Sequence, residues 1–191
     1  MTDRGLRLPF VPDLPLATQR LVLRAFVRDD LPALHPMHRS PEGVRYVPFG
    51  PRDLASMTTA LERKMRGTAL REQDDHLDLA VCLADGTLVG DVMLALQSVE
   101  HATVEIGYLF DLRHGGRGYA TEAVRALVDL AFTGAGAHRV VARIDARNSA
   151  SRALCERLGL RCESHLVDNE WCKGEWTSET GYAVLDREWP T

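Results

Sequence analysis

The chain has 191 residues, of which 45% are apolar and 26% charged, and its 23 Lys and Arg against 27 Asp and Glu give a formal net charge of −4. These values are typical of a globular protein and exclude collagen-like, coiled-coil and disordered chains. No run of Lys and Arg provides the electrostatic footprint of a nucleic-acid-binding protein. We therefore predict one compact domain over residues 1–191 and no nucleic-acid partner.

Membrane insertion, export and metal binding are not indicated either. The apolar stretches fall far short of the roughly 20 residues that a membrane span requires, and the first residues mix acids and prolines where a signal peptide is apolar. The four cysteines form no C-x-x-C pair, and no histidines pair at metal-ligand spacing. Reduced thiols in a cytoplasmic protein are favoured, with a Cys162–Cys172 disulfide left open.

The first half of the chain begins irregularly and then changes period. Asp85 and Gly86 form a strong hairpin signal between two alternating apolar runs. In chain order, the predicted elements are a strand at 21–27, a short helix at 28–34, a helix at 53–66 closed by Gly67, and two strands at 76–84 and 87–96.

The second half alternates strands and helices. A parallel portion of the sheet with a right-handed crossover follows from this alternation over residues 102–160, which makes the chain an α/β protein. The predicted elements are a strand at 102–110, a glycine-rich turn at 113–118, a helix ended by Gly134 and Gly136, a strand at 138–145, a helix capped by Asn148 and stopped at Gly159, and strands at 160–167 and 175–185.

The glycine-rich turn is the strongest functional signal. Gly115, Gly116 and Gly118 allow the backbone to approach a ligand closely, and the start of the following helix attracts anions. Phosphate binding follows, unless the glycines only shape a tight connection. Thr121 breaks the dinucleotide fingerprint and no G-K-[ST] follows, so neither common nucleotide motif fits and a dinucleotide-dependent oxidoreductase is disfavoured.

What fits is R-x-x-G-x-G, at Arg113, Gly116 and Gly118, followed by Y-A-T-E-A, which resembles the acyl-CoA-binding turn of the GCN5-related N-acetyltransferases (GNAT). The segments N-S-A-S and E-R-L-G-L follow in that family's order. The opening T-Q-R-L-V-L-R and the closing N-E-W-C-K-G-E-W are similar to its ribosomal-protein N-terminal acetyltransferase (RimJ/RimL-like) branch. The resemblance covers a core of about residues 18–189. It implies a single-domain, mixed, mostly antiparallel sheet flanked by helices, with a splay between its two central parallel strands.

The resemblance also implies a donor and its binding residues. Acetyl-CoA would be the acyl-donor co-substrate, without a metal, with its pantetheine in the splay along Ile106 to Phe110 and its pyrophosphate on the N–H groups of His114 to Gly118. The implied cofactor-binding residues are Ile106, Tyr108, Leu109, Phe110, Arg113, His114, Gly115, Gly116, Arg117, Gly118, Tyr119, Ala120, Asn148 and Ser151.

Acyl transfer to an amine needs a base, because an amine with a pKa near 10 is mostly protonated at neutral pH, and the departing thiolate needs a proton. Glu105 would be the base and Ser151 the acid; the alternatives are a strand carboxylate without a role and an ordinary first-turn serine after the Asn148 cap. Many family members carry a tyrosine four positions beyond the serine. Here that residue is Cys155, which leaves Ser151 as the acid. A backbone N–H near Tyr108 or Leu109 would polarise the carbonyl.

The acceptor is less defined by the sequence. A protein N-terminus is suggested by the branch, and a small-molecule amine or antibiotic or a non-catalytic acyl-CoA-binding module are the alternatives. Its pocket would be formed by residues 40–67 and 168–171, whereas Trp171, Trp176 and Trp189 are expected as packed or half-buried sheet aromatics. Both a monomer and a homodimer remain open.

Overall fold

The computed structural model describes residues 5–190. Within this range the chain forms one mixed sheet and four α-helices. The strands are β1 (Leu16–Ala17), β2 (Leu21–Arg24), β3 (His76–Leu83), β4 (Leu88–Ser98), β5 (Thr103–Phe110), β6 (Arg139–Asp145), β7 (Arg161–Cys172) and β8 (Glu175–Leu185), and the helices are α1 (Leu31–Arg39), α2 (Leu54–Arg66), α3 (Tyr119–Asp129) and α4 (Ser149–Arg157).

The sheet has eight strands in the order β1-β2-β3-β4-β5-β6-β8-β7. Between residues 5 and 190, β5 and β6 are the one parallel pair, and helix α3 makes the crossover between them. This confirms the expected mostly antiparallel α/β sheet.

Helices cover both faces of the sheet, and the alternation of β5 shows how. Leu109 packs on one face in a cluster with residues of α1 and α2, whereas Val104 and Ile106 pack on the other face with residues of α3 and α4. Because successive side chains of a strand point to opposite faces, Glu105 lies on the α1–α2 face and Tyr108 on the α3–α4 face.

The two parallel strands separate partway along their length. Their register pairs Thr103 to Glu105 with Arg139 to Val141 and goes no further. From Ile106 to Phe110 strand β5 pairs only with β4, while β6 continues against β8 as far as Asp145. The expected splay is therefore present, and Glu105 lies at its apex.

Several boundaries differ from the sequence-based prediction. Helix α1 does not stop at residue 34 but runs to Arg39 and contains Pro36, after a 3-10 turn at residues 28–30, and β2 ends at Arg24 rather than at residue 27. Strand β7 continues to Cys172 instead of ending at 167, because the turn-like residue Asp168 takes a positive φ of 46° inside a bulge.

The tryptophans also differ from expectation. Trp189 is buried as expected, but Trp171 and Trp176 are 63% and 59% exposed and contact each other edge to face near the tip of the β7–β8 hairpin. They were wrongly expected to be packed, since strand periodicity cannot show that β7 is an exposed edge of the sheet. All four cysteines are free in the structure, so the open Cys162–Cys172 disulfide does not form there.

In the part of the chain that the structure describes, no helix has the length and apolarity needed to cross a membrane. Over the same residues, no three side chains of His, Cys, Asp or Glu are grouped as metal ligands. Residues 1–4, part of the segment read for a signal peptide, lie outside the described range.

Candidate active site

The glycine-rich turn connects β5 to α3. A 3-10 turn at Leu112–His114 comes first, and Gly118 is the N-cap of α3. Gly116 and Gly118 have φ values of 73° and 81°, in the left-handed region where a side chain is strained. This backbone geometry explains why glycine is needed at both positions.

The free main-chain donors of the turn lie slightly later than the sequence suggests. The N–H groups of His114 and Gly115 donate to carbonyl oxygens inside the turn, at 2.9 and 3.1 Å. Among residues 5–190, the N–H groups of Gly116, Arg117 and Gly118 have no hydrogen-bond acceptor. These three groups, at the positive end of α3, are the ones available to an anion.

Two residues that precede β2, Thr18 and Arg20, hold this turn in place by hydrogen bonds. Glu122 accepts hydrogen bonds from the Thr18 hydroxyl at 2.6 Å and from the Arg20 Nε at 2.7 Å, and Arg20 Nη1 donates to the Arg117 carbonyl at 2.9 Å. Burial would raise the pKa of Glu122, but these partners outweigh it and lower that pKa. Sequence reasoning assigned no role to Thr18 or Arg20; the T-Q-R of the opening motif was the available signal.

Beside the turn, between α3 and α4, lies a cavity of about 1050 Å³, which we call the α3–α4 cavity. Its size and the free N–H groups at its edge provide room and donors for a large ligand that carries phosphate. Arg113 and Arg117 do not line it, and the Arg113 guanidinium instead makes a bidentate ion pair with Asp111. The residues of the predicted set that line it are Phe110, His114, Gly115, Gly116, Gly118, Tyr119 and Ala120, facing Ala150, Ala153, Leu154 and Arg157.

A second cavity of about 330 Å³ lies where β5 and β6 separate, and we call it the splay cavity. It is lined by Glu105 from one face of the sheet and by Tyr108 and Ser151 from the other. The remaining residues of the predicted set that line it are Ile106, Leu109 and Asn148. The splay therefore acts as a passage that brings side chains from both faces into one space.

Glu105 is held in place at the apex of the splay. Its carboxylate accepts a hydrogen bond from Gln97 Nε2 at 2.9 Å and pairs with Arg143 Nε at 3.4 Å, and its side chain is 16% exposed. Glu105 has the largest effect on the pKa of Arg143 and raises it. Burial lowers that pKa and Glu179 raises it, and because the two acids outweigh burial the pKa of Arg143 is raised overall. The site thus contains a fixed carboxylate with access to the cavity.

The N-terminus of α4 presents a serine to the same cavity. Asn148 caps the helix by accepting the Ser151 N–H at 3.1 Å, so the ordinary cap geometry is present. In the described chain no group hydrogen-bonds to the Ser151 hydroxyl, which leaves it available as a donor.

A tyrosine hydroxyl lies next to this serine. Tyr108 Oη is 3.4 Å from the Ser151 carbonyl oxygen and 4.0 Å from Cys155 Sγ. Burial raises the pKa of Tyr108 and raises that of Cys155 to about 11, so both are protonated at neutral pH. The hydroxyl from β5 therefore contacts the helix position where many members of the resembling family carry a tyrosine, a contact that sequence spacing could not show.

A buried group of charges closes the other end of the splay cavity. Lys64 Nζ binds Asp78 and Asp91 at 3.1 and 3.0 Å, and His38 Nε2 lies 3.2 Å from Asp91. Burial would raise the pKa of Asp91, but Lys64 and His38 outweigh burial and lower it to about 2. These residues come from α1, α2, β3 and β4, so no local sequence motif predicts that they form a cluster.

The loop that connects α1 to α2 covers the splay cavity and forms its roof. Residues 46–49, within the range 40–67 expected to form the acceptor pocket, line this cavity, and Glu170, from the expected range 168–171, lines a smaller adjoining cavity. Lys173, from the β7–β8 turn, donates to the carbonyl oxygens of Val44 and Arg45 at 2.7 and 2.8 Å. This lysine fastens the loop to the hairpin.

The family model of the GNAT acetyltransferase domain matches residues 20–161. The chain belongs to the GNAT family. A relative, the uncharacterised N-acetyltransferase p20 of Bacillus licheniformis, is 28% identical over 174 residues, which cover 91% of this chain and 97% of that protein. Membership makes this protein an acetyltransferase that acts on an amine, and GNAT enzymes take the acetyl group from acetyl-CoA.

Solved GNAT structures share the fold over most of their length. An acetyltransferase of Bacillus anthracis superposes with a TM-score of 0.82 at 26% identity, covering 91% of this chain and 99% of that one. A spermidine N-acetyltransferase of Vibrio cholerae, solved with CoA and spermine, gives 0.77 at 22% identity, covering 90% and 98%. This second likeness shows the GNAT fold alone.

Proposed function

We propose that the protein transfers the acetyl group of acetyl-CoA to a primary amine by direct attack, with Glu105 as the general base and Ser151 as the proton donor. The observation that carries this proposal is that Glu105 and Ser151, from opposite faces of the sheet, line one cavity that passes through the splay. The thioester would enter from the α3–α4 side and the amine from the α1–α2 side.

The donor side is proposed from the free backbone groups. Beyond Glu105, β5 has no partner on its β6 edge, so its N–H and C=O groups there can pair with pantetheine. The free N–H groups of Gly116 to Gly118 would bind the pyrophosphate, with the rest of the molecule in the α3–α4 cavity. A backbone N–H near Tyr108 or Leu109 would polarise the carbonyl oxygen.

The bond changes balance with these residues alone. Glu105 removes a proton from the ammonium form of the acceptor, directly or through water, and the freed amine attacks the thioester carbon. The N–C bond forms, the C–S bond breaks, and Ser151 gives its hydroxyl proton to the departing sulfur. Glu105 returns its proton through water to Ser151 after the amine has lost its second proton to solvent, so an amide and a thiol result.

Tyr108 would support Ser151 in this step. Its hydroxyl already lies at the N-terminus of α4, and burial keeps it protonated. A neutral hydroxyl at this position can donate a hydrogen bond to the developing thiolate while Ser151 transfers the proton.

The acceptor we propose first is a protein N-terminus, and a small amine or antibiotic is the alternative. The RimJ/RimL-like motifs support the former, as does a Bacillus subtilis protein, YdaF, whose name assigns it provisionally to the ribosomal N-acetyltransferases. YdaF is 33% identical over 107 residues, covering 56% of this chain and 58% of that protein.

A screen of peptides, polyamines and antibiotics would test the function, read by release of free thiol and by mass spectrometry of the product. We expect a mass increase of one acetyl group on one acceptor class, and loss of turnover in Glu105→Gln without loss of acetyl-CoA binding. Tight acetyl-CoA binding with no turnover on any amine would instead identify a non-catalytic acyl-CoA-binding module.

A further inference from the structure

The charges that line the splay cavity are not evenly distributed. Glu105 pairs across β4 with Ala95, whereas Asp91 pairs with Leu109, so the two acids lie on one face of the sheet, four residues apart along the strands. Four residues of strand correspond to about 13 Å. The Glu105 end therefore lies well away from the end that holds Lys64.

Two arginines line the cavity without a carboxylate partner. Lys64 is paired with Asp78 and Asp91, and Arg143 is paired with Glu105. By contrast, over residues 5–190 no carboxylate oxygen lies within 4.0 Å of the guanidinium group of Arg52 or Arg63. Both come from the α2 region, Arg63 from the same helix turn as Lys64.

Arg52 is positioned by stacking rather than by an ion pair. Its guanidinium lies 4.3 Å from the centre of the Phe49 ring, in the loop that forms the roof of the cavity. Burial and the neighbouring Arg63 cation lower the pKa of Arg52, and together they outweigh the opposing attraction of Asp91. Asp91 attracts Arg52 but forms no ion pair with it within 4.0 Å, and the two guanidinium groups repel each other.

We propose that Arg52 and Arg63 bind an anionic group, a carboxylate or a phosphate, carried by the same acceptor molecule whose amine is placed at Glu105. An anion between the two arginines would remove their repulsion and gain charge-assisted hydrogen bonds. The acceptor is then a primary amine with an acidic group several bonds away, such as a peptide with an acidic residue near its N-terminus. This inference rests on the proposed function, because it assumes that the amine lies at Glu105.

The same arrangement disfavours polyamines. A polyamine with one nitrogen at Glu105 and its chain along the splay cavity would have its remaining ammonium groups near Arg52, Arg63 and Lys64. Like charges at this distance are unfavourable, and more so in a partly buried cavity. The charge pattern therefore separates acidic amines from polycationic ones.

Matched acceptors that differ by one charge would test this. Steady-state kinetics of the full chain with acetyl-CoA would compare peptides beginning Ser-Asp with those beginning Ser-Asn, and both with spermidine. We expect the acidic member of a pair to have a kcat/KM at least about tenfold above that of its amide, and spermidine to be the poorest acceptor.

Variants identify the residues responsible. In Arg52→Gln and in Arg63→Gln we expect the acid-to-amide ratio to fall toward one through a higher KM for the acid, with little change for the amide. Arg66→Gln, on the same helix but outside the cavity, is the matched control and should keep the wild-type ratio. Arg63 is exposed, so its variant reports even if Arg52→Gln fails to fold.

A ratio near one in the wild type, or a ratio that both variants leave unchanged, would overturn the inference while amine acetylation stands. If no acceptor is acetylated, the proposed function fails instead, and binding still decides the inference. Calorimetry with inorganic phosphate, in protein saturated with CoA, should show binding that Arg52→Gln and Arg63→Gln together abolish. Equal heats in wild type and the double variant would refute it.

Discussion

On the α3–α4 face, the glycine-rich turn brings free main-chain N–H groups to the edge of the larger cavity, beside alanines and charged side chains such as Arg125 and Arg157. The splay cavity has no such turn in the described chain and is lined by charged side chains from α2, β3, β4, β5 and β6. Main-chain groups next to glycine recognise phosphates and are fixed by backbone geometry. Side chains such as Arg52 and Arg143 can change without altering the backbone. The comparison suggests that one side serves a constant donor and the other a variable acceptor.

The largest expected effect concerns the main-chain side. Gly118→Trp should lower acetyl-CoA affinity at least about 100-fold, because a side chain at φ 81° is strained and would press on Arg20, whose Nη2 lies 3.3 Å from the added Cβ. Isothermal titration calorimetry measures this. Gly86→Trp, at φ 87° in the β3–β4 hairpin, is the matched control. Unchanged affinity in Gly118→Trp would remove the turn from donor binding.

Glu105→Gln tests the apex where the two sides meet. The amide keeps the shape but cannot take a proton, so we expect kcat to fall about 100-fold at neutral pH while acetyl-CoA affinity is kept. Thiol release gives the rate and calorimetry the affinity. Glu100→Gln, an exposed acid in the turn before β5, should be neutral. Normal turnover in Glu105→Gln would exclude Glu105 as the base.

The buried charges of the splay cavity predict a pH effect on stability. The pKa of Asp91 is about 2 in the folded protein against 3.8 for an ordinary Asp, so its stabilisation is complete above pH 3.8 and is lost as the pH falls through 2. The loss should be about 2 kcal/mol.

Urea unfolding between pH 5 and pH 2 would measure this effect. Asp91→Asn should be less stable at pH 5 because Lys64 keeps only Asp78, and it should lose less stability on acidification than the wild type does. The exposed Asp29→Asn serves as the control. Parallel acid curves for Asp91→Asn and wild type would show that Asp91 is not linked to stability in this way.

The smallest effect is expected at the thiol-release step. Ser151→Ala should lower kcat about tenfold, since water or the Tyr108 hydroxyl can partly replace the lost donor. Rates in Ser151→Ala, Tyr108→Phe and the double variant, measured by thiol release, would apportion the proton donation. A double variant as fast as the wild type would remove both residues from the chemistry.

The same contrast explains what the sequence could and could not predict. Local glycine and apolar spacing predicts the turn, with Gly116 and Gly118, and the helix that follows it. The splay and the roles expected of Asn148 and Ser151 come instead from the resemblance of several motifs to the GNAT family. The cluster of Lys64, Asp78, Asp91 and His38 comes from four elements, and only the packing of α2 on β3 and β4 brings it together.

Two residues show what spacing along the chain leaves undetermined. Arg113 is expected to bind the cofactor because it lies in the turn, and in the structure its guanidinium pairs with the aspartate two residues before it. Tyr108 is expected to contribute backbone contacts. The position of its hydroxyl group depends on how closely α4 packs against β5, and the periodicity of the sequence does not predict that packing. Spacing along the chain predicts the conformation of the backbone. Contacts between residues that are distant in sequence decide where the functional groups of the side chains lie.

The lysine that fastens the roof of the splay cavity binds two carbonyl oxygens rather than any side chain. Carbonyls are present whatever residues occupy positions 44 and 45, so the lysine's hydrogen bonds do not depend on which side chains stand there. The loop can therefore explore new sequences over evolutionary time while remaining anchored above the gap between the strands. A lineage of such enzymes could exchange one amine for another without rebuilding the machinery that handles the thioester.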